Sequence, residues 1–150
     1  MDIKPKLLIV TTVPLSLNFF KGQIQVLKKL FNVELVSTSG KLLNDISVAE
    51  NVKSHSVSMK REISVFNDIL SLLGLIRLFF NEKPKVVHGN TPKAGLLSMA
   101  AAWVNNVPIR IYYVHGLRYQ GTIGLKKKIL VLMECLSCYF STDIYAVSFG

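Results

Sequence analysis

Between Lys85 and Gly121 the chain runs KVVHGNTPKAGLLSMAAAWVNNVPIRIYYVHGLRYQG, two short apolar strands with a helix between them, and each strand breaks off into polar residues. No other stretch limits the fold so tightly. Lys85–Asn90 is expected to be a strand. Thr91 stands where it can cap the next helix, and Pro92 takes the first helical position, where its missing N–H costs nothing. Ala94, Gly95, Ala100 and Ala102 would let that helix lie close to a sheet, and it fades at Asn105-Asn106 before Pro108. Ile109–Val114, β-branched and aromatic, is the second strand, ending in His115, Gly116, Leu117 and Arg118. In such a unit the strands run parallel, and ligands of open parallel sheets bind beyond the carboxyl ends of the strands. His88, Asn90, Lys93, His115 and Arg118 are therefore expected on one rim.

The rest of the chain repeats the alternation. Lys6–Val13 is a continuous apolar run of the kind found in strands covered on both faces, and it is placed centrally. The turn after it lacks the G-x-G-x-x-G of a dinucleotide site, which disfavours a nicotinamide or flavin enzyme. Phe20, Ile24, Leu27 and Phe31 recur at helical spacing and predict a first helix over Phe19–Phe31. Val33–Thr38 is the second strand. Ser39–Asn51 is ambiguous, with Leu42, Leu43 and Ile46 hinting at a short helix before a third strand over Val52–Met59. Ser64–Phe80 predicts an amphipathic helix, with Ser64, Asn67, Asp68, Ser71, Gly74 and Arg77 as a polar stripe and Phe66, Ile69, Leu70, Leu73, Ile76 and Phe80 turned to the core. Leu125–Phe140 is helical and Asp143–Val147 is a sixth strand. The pattern predicts an α/β fold, a doubly wound Rossmann-like domain with a parallel sheet of about six strands, formed by residues 1–150 as one domain. The last strand lacks a following helix and the rim lacks a second wall, which suggests part of a larger protein.

The chain's 18 Lys and Arg against 9 Asp and Glu, net +9, favour an anionic partner: nucleic acid, an anionic membrane surface or a phosphorylated small molecule. The rim suits the last of these. Arg61, Lys93 and Arg118 can meet phosphate oxygens, helped by free N–H groups at the start of the Thr91 helix. Ser16, Asn18, Asn90, Tyr119 and Gln120 suit sugar hydroxyls. Each of these residues taken alone is more simply a solvated loop side chain, and His88 a structural hydrogen-bonder; their joint placement carries the reading. No D-x-D pair, G-x-S-x-G, P-loop or H-E-x-x-H is present, so no metal site is expected. Cys135 and Cys138 lie in an apolar helical stretch and are read as two buried thiols. Lys126, Lys127 and Lys128 precede an apolar helical run and could rest on anionic lipid, although a core helix with a solvated basic first turn is the plainer reading. No apolar run approaches the ~20 residues of a bilayer span and the start does not read as a secretory signal, so a cytoplasmic protein is expected.

VVHGNTPKAGLLSMAAAW and IYYVHGLRYQG resemble the H-x-H-T-P-K-A-G and V-H-G-L blocks of family 4 glycosyltransferases with the GT-B architecture, of the kind that build bacterial capsular and lipid-linked polysaccharides. KREISVFNDI, with Arg61 and Asp68, and TTVPLSLNFFKG resemble the blocks that precede them. The resemblance implies the N-terminal, acceptor-binding half of a retaining, metal-independent enzyme. A C-terminal nucleotide-sugar-binding domain would be missing, and the isolated domain would be inactive. It also implies no cofactor in this domain, a nucleotide-sugar donor in the full-length enzyme, a lipid-linked diphosphate saccharide as acceptor, and a peripheral position at the inner face of the membrane. By position, His115 would be catalytic, beside the transferred sugar, with Arg61, Lys93 and Arg118 as candidates for the acceptor diphosphate or the donor phosphates. From the rim inventory, Ser16, Asn18, His88, Asn90, Thr91 and Tyr119 join the acceptor- or phosphate-binding candidates, and the basic start of the last helix makes Lys126, Lys127 and Lys128 the membrane-contact candidates. Asn90 departs from the pattern, which usually has a second histidine there. Two other readings stand beside this one. His88-Gly89-Asn90-Thr91 also resembles the H-G-D-T block of nucleotide-sugar 2-epimerases, and the net charge would fit a non-catalytic nucleic-acid-binding module, which the dispersed basic residues disfavour.

Overall fold

The computed structural model describes residues 4–116 and 121–147. Six strands, β1 (Lys6–Val10), β2 (Asn32–Ser37), β3 (Lys53–Ser56), β4 (Val86–Asn90), β5 (Ile109–Val114) and β6 (Asp143–Ala146), form one sheet. All neighbours run parallel, in the order β3-β2-β1-β4-β5-β6. The central strands are apolar on both sides because helices cover both faces. Leu8, Val10, Val36, Val87 and Tyr112 pack against α3 (Val65–Glu82) and α4 (Pro92–Val104). Leu7, Ile9, Val33, Leu35 and Val86 pack against a 3-10 segment (Pro14–Phe20), α1 (Gln23–Leu27) and α2 (Lys41–Glu50). The order reverses at β1, whose neighbours are β2 and β4, and this is the switch point at which doubly wound sheets open a crevice.

The unit that anchors the sequence reading packs as expected. A Cβ at Gly95 would overlap the Tyr112 ring, so only glycine lets α4 lie this close to β5. Lys93, Ala94, Leu97, Ser98, Met99, Ala101 and Ala102 are buried around it. α5 (Gly124–Phe140) flanks α4 on the side away from α3.

Three expectations are corrected and one ambiguous segment is resolved. The helix over Phe19–Phe31 is broken in two, because Pro14 starts the 3-10 segment early and Gly22, at φ +83°, turns the chain before α1. The ambiguous Ser39–Asn51 segment resolves into α2. α3 faces the other way from the one its pattern predicts: Ser71, Leu75 and Phe79 are buried, whereas Phe66, Ile69, Leu70, Leu73 and Phe80 are more than half exposed. Specific inward polar contacts set that register. The Ser71 hydroxyl donates to the Ser58 carbonyl at 2.6 Å, and Asp68 holds Lys93 at 2.7 Å. Finally, Cys138 is half-buried and Cys135 is exposed, both as free thiols, where two buried ones were expected.

Candidate functional site

β1 and β4 end side by side at the switch point, and the residues just beyond them build a small polar pocket. Thr12, Ser16, Arg61, Thr91 and Lys93 line it, with Val13 and Pro92, around about 140 Å³. Thr91 occupies the cap position of α4 without capping it. Its backbone takes φ +70°, and its hydroxyl lies 2.8 Å from that of Thr12. A threonine held at positive φ costs of order 1–3 kcal/mol, a strain that concentrates at functional sites. The strand-end geometry of β4 thus joins the first turn of the chain to the start of α4.

Lys93 is only 4% exposed, and its ammonium donates to Asp68 and to the Glu62 carbonyl. Its charge is therefore balanced inside the protein, and it ties the 59–64 loop to α4. Arg61 rides on that loop at the mouth of the pocket. It is exposed, and among the described residues no carboxylate pairs with it. It also lines a wider cleft of about 820 Å³ with Ile63, Leu125, Lys126, Ile129 and Leu130, so one guanidinium borders both spaces.

Beside this pocket the ends of β4 and β5 bring two histidines to one asparagine. Asn90 is fully buried. Its Nδ2 lies 2.9 Å from His88 Nδ1, and its Oδ1 lies 3.4 Å from His115 Nε2. Burial, reinforced by the neighbouring His115, pushes the His88 pKa down to about 4. Burial also lowers that of His115. Both rings are uncharged at neutral pH. Phe19 stacks on His115 with ring centroids 4.8 Å apart, Tyr113 meets the same ring edge-on at 4.8 Å, and Phe20 meets His88 at 5.4 Å. Phe19 and Tyr113 were not singled out from the sequence. The one sequence signal for Phe19 is an aromatic pair following a proline-started turn, and Tyr113 is hidden inside an apolar strand.

The structure thus brings Ser16, Arg61, Thr91 and Lys93 to one pocket and His88, Asn90 and His115 to the adjoining cluster. Asn18 goes elsewhere, to a cleft with Lys21, Asp45 and Glu50 beside α2. Arg118 and Tyr119 lie outside the described residues, as does Gln120. Lys126, Lys127 and Lys128 are exposed at the start of α5. Together the two parts can hold an anion at Arg61 and offer the exposed neutral imidazole of His115 to a hydroxylated ligand.

A second polar cluster lies toward the N-terminal ends of the strands. Glu34, only 3% exposed, accepts from Lys6 at 3.1 Å and lies 2.6 Å from His55 Nε2, while Glu82 accepts from Lys6 and from Lys53 at 2.8 Å. Glu34, His55 and Glu82 bring three ligand-type atoms within 4.8 Å of one another. A metal ion there would have to displace two ammonium groups, so the donor set fits an ion-pair network better than a metal centre.

Residues 9–148 match the family model described as glycosyl transferase 4-like. A capsular polysaccharide biosynthesis glycosyltransferase, CapM of Staphylococcus aureus, is 43% identical over 144 residues, covering 95% of this chain and 37% of the relative. A UDP-Gal:alpha-D-GlcNAc-diphosphoundecaprenol alpha-1,3-galactosyltransferase of Escherichia coli is 31% identical over 93 residues, 61% of this chain and 24% of that one. The chain therefore spans well under half the length of these relatives. Among solved structures, UDP-N-acetylglucosamine 2-epimerase from Rickettsia bellii superposes with a TM-score of 0.72 at 14% identity, covering 97% of this chain and 39% of the other. MurG of Acinetobacter baumannii gives 0.65 at 12% identity, covering 97% and 41%. At such identities the structural likeness bears on the fold alone.

Proposed function

Because this chain belongs to the glycosyl transferase 4-like family, we propose that it is the acceptor-binding half of a retaining, metal-independent glycosyltransferase of cell-surface polysaccharide synthesis. A sugar passes from a nucleotide-sugar donor, held by a following domain, to a lipid-linked diphosphate saccharide held here. The observation that carries this reading is the position of Arg61, which borders both the polar pocket at the switch point and the wide, apolar-walled cleft reaching α5. A lipid diphosphate needs that sequence of environments: hydroxyl-binding groups for its sugar, a cation for the diphosphate, and an apolar exit for the lipid. The guanidinium can take two phosphate oxygens at once. Lys93 supports it indirectly, by pinning the loop that carries it. His115, flanked by Phe19, borders the sugar being transferred. The E. coli relative, whose name specifies a diphosphoundecaprenol-linked sugar, supports an acceptor of this class. The epimerase alternative rests on fold likeness without comparable sequence identity.

The membrane is the second partner. Among the described residues no helix is long and apolar enough to cross a bilayer. The outward face of α5 nonetheless exposes Leu125, Leu132 and Tyr139 on the helix that begins with Lys126, Lys127 and Lys128, and that of α3 exposes Phe66, Ile69 and Leu73, each of these apolar residues more than half accessible. Apolar side chains rimmed by basic ones suit an anionic bilayer surface, where each charge contributes about 1 kcal/mol. Binding to vesicles containing anionic phospholipid should weaken as salt rises, since surface charges are screened over about 8 Å at physiological ionic strength. Equal partitioning to neutral vesicles would remove the charge contribution. The function itself is tested with the polypeptide that includes the following domain, supplied with nucleotide sugars and diphosphoundecaprenol-linked saccharides. Sugar transfer with retention of anomeric configuration is expected in chelator; epimerisation of the donor without transfer would overturn the reading.

A further inference from the structure

Asn90 is fully buried between two histidines, and the chemistry of its neighbours settles which way its amide points. Its Nδ2 lies 3.2 Å from the His88 carbonyl oxygen and 3.5 Å from that of Val10. Carbonyl oxygens only accept, so this end must be the NH₂ group; the reverse orientation would set three oxygens against one another. The same NH₂ group lies 2.9 Å from His88 Nδ1. A nitrogen facing a donor must present its lone pair, so the proton of the neutral His88 ring resides on Nε2. The amide oxygen is thereby turned to His115 Nε2, 3.4 Å away. An oxygen acceptor there requires His115 Nε2 to carry a proton, and the neutral ring then keeps its lone pair on Nδ1. One buried side chain fixes two rings.

We propose that Asn90 is a positioning residue that holds His88 and His115 as their Nε2–H tautomers, so that His115 meets its ligand through an accepting Nδ1 and selects a hydroxyl donor over a phosphate oxygen. The consequence for recognition rests on the sugar-transfer reading given above; the tautomers themselves do not. Phosphate oxygens only accept, and an accepting nitrogen gains nothing from them. A saccharide hydroxyl can donate to it. The division of labour in the site follows, with the anion at Arg61 and the sugar hydroxyl at His115. His88 is half-buried against Phe20 and Tyr113, and His115 stands exposed at the rim against Phe19 and Tyr113, so the buried Asn90 amide is the fixed partner that both rings share.

The test is long-range ¹⁵N–¹H correlation of the imidazoles in the ligand-free chain near neutral pH, with His55→Gln used to remove the third histidine's signals. Pyridine-type Nδ1 and pyrrole-type Nε2 shifts are expected for both His88 and His115, with a through-hydrogen-bond coupling between Asn90 Nδ2 and His88 Nδ1. A proton on Nδ1 of either ring would overturn the proposal. In Asn90→Leu, both rings should lose their single tautomer and become mixtures; unchanged single tautomers in the folded variant would show that Asn90 does not set them. Should the leucine variant fail to fold, the wild-type coupling decides: its presence sustains the assignment and its absence defeats it. Because no substrate is involved, failure here leaves the sugar-transfer reading standing, and failure of that reading would leave these spectra unchanged.

Discussion

Two histidine clusters lie along the same sheet, and they are built on opposite principles. Toward the N-terminal ends of β1, β2 and β3, His55 sits with Glu34 and Glu82, and Lys6 and Lys53 balance the carboxylates. At the carboxyl ends of β4 and β5, His88 and His115 share a neutral amide, and among the described residues no carboxylate pairs with either ring. The first cluster is saturated: each charge has an opposite one within hydrogen-bond reach. The second keeps a lone pair in hand and lies beside a pocket. A polar cluster that completes its own charges ties the sheet and α3 together, whereas one that leaves accepting capacity at a strand end is equipped to bind.

The sharpest way to break the contrast is to unbalance the saturated cluster. Lys6→Met leaves the buried Glu34 carboxylate without its nearest ammonium group. Loss of one partner from a buried pair costs about 3–5 kcal/mol, so urea unfolding should show a loss of that order. A change below about 1 kcal/mol would mean that Lys53 and water compensate, and that the network is a surface feature.

Acid separates the clusters in a second way. The His88 pKa is depressed from 6.5 to about 4, so the native state resists a proton that the unfolded chain accepts. That stability is fully present above pH 6.5 and is lost as pH falls toward 4, amounting to about 3 kcal/mol at most. Hydrogen bonds from Lys53 and Lys6 depress the Glu82 pKa from 4.5 to about 2, so its contribution persists to lower pH and is lost between those values. Urea midpoints should therefore decline in two stages, and His88→Gln should remove most of the upper one, leaving the smaller part that His115 contributes. Midpoints flat between pH 6.5 and 4 in the wild-type chain would contradict a buried neutral His88.

Much of this was legible in the sequence because it depends on local pattern. The six strands, the α4 unit with Gly95 against the sheet, and the gathering of His88, Asn90 and His115 all follow from short apolar runs with polar ends. The largest error arises because periodicity identifies the faces of an element without saying which face is inward. α3 carries a clear stripe, yet Ser71 and Asp68 found partners at Ser58 and Lys93 and turned the larger apolar residues outward. Lys93 looked like a phosphate ligand from its place after Thr91-Pro92, and its partner Asp68 stands 25 residues earlier, beyond any local signal. The Glu34–His55 pair is likewise invisible, since two strands must align in register before those residues meet. Asn90 was legible as a rim residue and as a departure from the family pattern; that a buried amide can orient two rings required the geometry.

The central claim, that the neutral cluster is the working end of the sheet, meets its most direct test at His115. In a polypeptide that carries the proposed donor domain as well, His115→Ala is compared with wild type for sugar transfer to a diphosphoundecaprenol-linked saccharide, with melting measured on the same preparations. His115 is exposed at a strand end and makes one long hydrogen bond to Asn90, so its removal should leave the melting temperature nearly unchanged. A lost hydrogen bond in the transition state should lower turnover by about 10- to 100-fold. Near-normal turnover of the folded variant would contradict the account and remove His115 from the site.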